Sequence, residues 1–189
     1  MHTKKIENSA ALSSTQSWHH NRLTIVIHWL VALLLPVMAG LGWYMLSIEN
    51  QPGSSWYFDL HKSLGMVFGM LVVIRLVWRF FHPLEPLPLS VPLWQAQLAR
   101  WMQGLLYVAM ILMPITGYLG SAFGPDSMSF FGLNLPKWLL PNHAIAELIF
   151  NIHGVVIWVL ISLVSIHVLG ALKHLLVDKD GIFQRMWFK

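Results

Sequence analysis

The chain has 189 residues, of which 56% are hydrophobic and only 11% charged, with a formal net charge of +4. A mean hydropathy of +0.60 excludes an ordinary soluble domain and indicates membrane spans. Cysteine is absent, which excludes disulfides, thiolate-bound zinc, iron–sulfur clusters and covalent attachment of a cofactor through CxxCH. The basic pI of 9.6 needs no nucleic-acid partner, because Lys and Arg flanking membrane spans account for it.

Residues 1–21 form a polar N-terminal tail carrying Lys4, Lys5 and the His19–His20 pair. They do not read as a cleaved signal, since the apolar run that follows is of span length and no small-residue cleavage site is evident. The expected membrane domain covers residues 22–177, with spans at about 23–46, 59–81, 98–123 and 144–177. Span one contains His28 and an internal Pro36, a kink signal. A turn with Pro52-Gly53 leads to span two, which opens near His61 and closes with Arg75 and Arg79, one helical turn apart. Four prolines in residues 82–93 predict an extended connector, and His82 falls there as a loop residue. Span three has Pro114 and Gly117 inside it and no histidine. The loop at 124–142 contains FFGLNLPKWLL, which is expected along the membrane surface, and His143 is read as a loop residue. Span four holds His153 and His167, and residues 178–189 form a polar C-terminal tail.

Four spans put both termini on one side. Of the twelve Lys and Arg, only Lys62 and Lys137 fall on the other side, beside Glu49, Asp59, Asp126 and Glu147. The positive-inside rule then makes both termini cytoplasmic. Trp18, Trp56, Trp94, Trp101, Trp138 and Trp187 lie near span ends, as interfacial anchors do.

The histidines carry the chemistry. His153 and His167 are 14 residues apart, which at 3.6 residues per turn puts them within roughly 40° of one helix face and about 21 Å apart. Ionisable residues within membrane spans are functional by default. The topology matches His28 in depth with His167, and His61 with His153, giving two levels of paired imidazoles. Two neutral imidazoles on opposing helices are what a six-coordinate b-type haem requires, and with both axial positions filled the iron favours electron transfer. The expected architecture is therefore all-α, an integral membrane four-helix bundle enclosing two haem b groups. Gly65, Gly154 and Gly170 sit near these histidines and suit a close macrocycle. A divalent ion fits less well, because no carboxylate accompanies the histidines within the spans. Met38, Met45, Met66 and Met70 read as packing rather than axial ligands.

Taken together, TIVIHWL around His28, HKSLG after His61 with Arg75 and Arg79, PITG at 114–117, FGLNLP at 131–136 and the His153/His167 spacing resemble the bacterial cytochrome b561 family. The resemblance covers about residues 22–189. It implies a four-helix dihaem cytochrome of the inner membrane whose ligands fall on His28, His61, His153 and His167. It further implies electron transfer between a periplasmic donor, superoxide in the best-described activity, and ubiquinone. Lys62 and Lys137 are then either attractors of an anion or ordinary loop charges. His174 has two readings, a quinone or proton site and a snorkelling polar residue beside Lys173. Arg75 likewise serves either haem propionates or a quinone carbonyl, or only sets topology; for Arg79 the topological reading weighs more. Two competing functions stay open: a haem-bearing anchor subunit fed by a periplasmic partner protein, and a non-haem transporter or scaffold. The lack of paired intramembrane charges or inverted repeats weakens the last. Oligomeric state is not encoded in any readable pattern.

Overall fold

The computed structural model describes residues 21–83, 91–125 and 128–187. The N-terminal tail with Lys4, Lys5, Trp18, His19 and His20, the middle of the Pro-rich connector, Asp126 and Lys189 lie outside the described residues. Four helices dominate: α1 (Arg22–Ser47), α2 (Ser54–Phe81), α3 (Leu93–Phe123) and α4 (His143–Lys173). All four are long and apolar enough to cross a membrane. At 26, 28, 31 and 31 residues, each exceeds the ~20 residues that a bilayer core requires.

Helix ends follow local chemistry. The Asn21 side chain accepts from the Leu23 N–H at 3.0 Å, and the Asn142 side chain accepts from the Ile145 N–H at 3.2 Å, so α1 and α4 each begin on an asparagine cap. Gly53, with φ of 84°, reverses the chain into α2. Pro92 precedes α3, where its missing N–H costs nothing. These signals start α2 and α3 about a turn before the apolar runs at 59 and 98, and they make His143 the first residue of α4 rather than part of a loop. The His143 side chain stays exposed near Glu147.

The 124–142 loop is not a surface-lying segment throughout. Strands β1 (Met128–Phe130) and β2 (Leu133–Leu135) pair antiparallel, with Phe130 opposite Leu133. Phe131 and Gly132, both at positive φ (46° and 87°), make the two-residue turn between them. Ser63 of α2, 1% exposed, clamps this hairpin. Its hydroxyl accepts from the Phe131 N–H at 2.9 Å and donates to the Asp59 carbonyl at 2.7 Å. The bundle therefore has a hairpin end and a terminal end.

At the terminal end α4 continues into a π-helical turn (His174–Asp178), and the chain folds back as a short 3₁₀ helix (Phe183–Met186). The Trp29 indole N–H donates to the Met186 carbonyl at 2.8 Å. The C-terminal segment is thus docked on α1 up to Trp187, not a free tail.

The helices approach closely in chain order, α1 on α2, α2 on α3 and α3 on α4. Small residues permit this: a Cβ at Gly69 would lie 2.9 Å from the Pro114 ring, and one at Gly120 would lie 2.7 Å from the Phe150 ring. Neither α1 nor α2 makes a comparably extended approach to α4. The mid-bundle core is Val31, Phe68, Val72, Leu106, Ala109, Met110 and Leu160.

Candidate functional site

Both gaps beside α4 are faced by histidines. His28 of α1 and His167 of α4 have ring centroids 6.4 Å apart at an interplanar angle of 70°. His61 of α2 and His153 of α4 have centroids 6.4 Å apart at 79°. The first pair lies toward the terminal end and the second toward the hairpin end. Leu160, 1% exposed, is one heptad from each histidine of α4 and falls between the two levels, where it packs with Val31, Phe68 and Val72.

An imidazole nitrogen binds a first-row metal at about 2 Å and lies about 1 Å from its ring centre, so two rings flanking one metal have centres roughly 6 Å apart. Both pairs meet that spacing. His61 Nδ1 is buried with no hydrogen-bond partner among the described residues. Glycines make room for two of the rings: a Cβ at Gly42 or at Gly117 would lie 3.2 Å from Cε1 of His61 or His153, respectively. Gly154 and Gly170 have no atom within 4 Å of a built Cβ, and Gly65 meets only the Met38 methyl at 3.6 Å. Open backbone beside facing imidazoles, with the helix pairs held apart, fits a large planar metal-centred group.

The sequence missed Gly42, which α1 presents to a histidine of α2, and Thr116 of α3. Thr116 Oγ1 is 2.9 Å from His153 Nδ1. The PITG run at 114–117 was the available signal, but only helix packing shows which ring it serves.

Arg75 and Arg79 line a small cleft at the terminal end with Thr24, Trp78, His82 and Tyr107. Arg75 Nε donates to the Tyr107 hydroxyl at 3.2 Å, and Arg79 Nη2 donates to Gln103 Oε1 at 2.9 Å. His82 ends α2 and stacks on Trp78 with centroids 3.7 Å apart. His174 is engaged on its own side of the bundle: Nδ1 is 2.7 Å from Asp180 Oδ2 and 3.3 Å from Asp178 Oδ2, and Lys173 pairs with Asp178. At the hairpin end Lys62 pairs with Asp59 at 3.0 Å, and Lys137 donates to the loop carbonyls of Gly124 and Pro125.

A membrane-spanning four-helix bundle with facing, half-buried imidazoles has the form of a b-type cytochrome. Residues 19–189 match the family model described as prokaryotic cytochrome b561. Cytochrome b561 homolog 2 of Escherichia coli K12 is 33% identical over 87% of this chain and 88% of its own length. Cytochrome b561 homolog 1 of the same organism is 29% identical over 88% and 95%. A probable superoxide oxidase, CybB of Yersinia pestis, is 28% identical over 87% and 93%. The chain belongs to the prokaryotic cytochrome b561 family. It is accordingly a multi-pass protein of the bacterial inner membrane, of a family that carries b-type haem and transfers electrons in the membrane.

Proposed function

We propose that this chain is a dihaem cytochrome that moves electrons across the inner membrane between a periplasmic donor and the quinone pool. The carrying observation is duplication: two facing imidazole pairs with the same 6.4 Å separation, at two levels of one bundle. In this reading His28 and His167 hold one haem iron, and His61 and His153 hold the other. A haem bound at each pair would supply a one-electron couple. Leu160 and its apolar neighbours keep water out between the levels. Gly65, one turn after His61, has only the Met38 methyl within 4 Å of a built Cβ and would leave room for the macrocycle there. Arg75 and Arg79 line the terminal-end cleft, where they would meet haem propionates or a quinone carbonyl. His174, held by Asp180 and Asp178, is the candidate quinone or proton site beyond that end of α4.

Residues 22–177 make up the electron-transfer domain, and both termini face the cytoplasm. Basic residues at the hairpin end are few, and the two described there, Lys62 and Lys137, are already engaged by Asp59 and by loop carbonyls. Superoxide is the donor class that we assign, following the name of the Yersinia pestis relative. The ion pair and the carbonyl contacts make these lysines a weak source of anion attraction.

The test is a reduced-minus-oxidised spectrum of the purified protein with haem quantified per chain. Low-spin b-type bands and two haems per chain are expected; a colourless or single-haem preparation overturns the reading. Superoxide must then reduce the haem without added protein, and a quinone must reoxidise it. Reduction that requires an added periplasmic protein replaces superoxide oxidation with the anchor-subunit role.

A further inference from the structure

Thr116 stands where α3 passes the hairpin-end pair, 7% exposed. Its Oγ1 lies 2.7 Å from the Leu112 carbonyl, 3.0 Å from the Met113 carbonyl and 2.9 Å from His153 Nδ1. A hydroxyl has one proton and two lone pairs. Two backbone carbonyls one turn back claim that proton, the usual habit of a threonine within a helix. Toward His153 the oxygen is therefore an acceptor, and the ring nitrogen facing it must carry hydrogen. With hydrogen fixed on Nδ1, the lone pair of the neutral ring belongs to Nε2.

We propose that Thr116 is a positioning residue that fixes the tautomer and ring orientation of His153 and so tunes the hairpin-end redox centre alone. The proposal rests on the bis-histidine reading of that pair. A ligand imidazole that donates its second N–H becomes more basic and binds the oxidised, more positive iron better. The pair is asymmetric in this respect, since Nδ1 of the partner ring, His61, has no such acceptor among the described residues. The Thr116 hydroxyl thus holds the hairpin-end centre at a lower potential than the same two histidines give without it. Each tenfold of preference for oxidised iron corresponds to about 59 mV in a one-electron couple.

The experiment is a potentiometric titration with electron paramagnetic resonance of the purified, haem-loaded protein and its Thr116→Val, Thr116→Ala and Thr116→Ser variants. Thr116→Val and Thr116→Ala are expected to raise the potential and shift the g-values of one haem while leaving the other unchanged, and Thr116→Ser to restore both. Loss of a single haem in Val and Ala with full content in Ser supports the same role. Unchanged potential and g-values in Val and Ala overturn it. His153→Ala, run alongside, separates the two ideas: a variant that keeps two haems refutes the ligand pairing itself, whereas loss of one haem there with a silent Thr116→Val refutes only the tuning.

Discussion

Trp29 of α1 and Met186 near the C-terminus are joined by a hydrogen bond of 2.8 Å that spans 157 positions of sequence. Trp29 is also next to His28 and meets the Trp187 ring edge-on at 5.8 Å. The C-terminal segment thereby packs on α1 at the residue next to one member of the terminal-end histidine pair. Replacing Trp29 with Phe removes the donor and leaves an aromatic ring for the edge-on contact. The expected loss is about 1 kcal/mol, read as a lower thermal midpoint in detergent, with the terminal-end haem released before the hairpin-end one.

The four histidines are separable by single substitutions. His153→Ala should lose the hairpin-end haem and His167→Ala the terminal-end haem, each leaving one per chain by haem assay. His174→Ala should keep both, because its ring is engaged by Asp180 and Asp178. A His174 variant with one haem would move a ligand assignment.

Gly42 and Gly117 test the fit around the hairpin-end pair. An added methyl at either position starts 3.2 Å from a histidine Cε1, so the ring must shift by a few tenths of an ångström or turn. Gly42→Ala and Gly117→Ala should each alter the spectrum and potential of the hairpin-end haem at a cost of roughly 1–3 kcal/mol. The terminal-end haem serves as the internal control.

Ser63 holds the β-hairpin on α2. Ser63→Ala strands the Phe131 N–H, which the hydroxyl accepts at 2.9 Å, and removes support from a non-glycine residue at φ of 46°. A loss of about 1–3 kcal/mol is expected for an orphaned donor. Amide hydrogen exchange should accelerate at residues 128–135 and remain unchanged in the core around Val72 and Leu160.

Sequence alone determined the all-α membrane class and the family, and it set the relative depths of the histidines. Those properties are local: an apolar run long enough for a bilayer has to be helical there, because every backbone polar group needs an internal partner. The fixed rise per residue then converts the spacing of His153 and His167 directly into distance along the helix. Helix starts at Ser54, Leu93 and His143, the hairpin at Met128–Leu135 and the docking of Met186 were not legible, since caps, turns and end contacts leave no hydropathy signal. Tertiary structure alone decided which side chain of one helix meets which ring of another: Gly42 beside His61, Thr116 on His153, and both imidazole pairs at 6.4 Å. Helical periodicity says which residues share a face. Only packing, here α4 kept apart from α1 and α2 while it is pressed against α3, says what that face looks at.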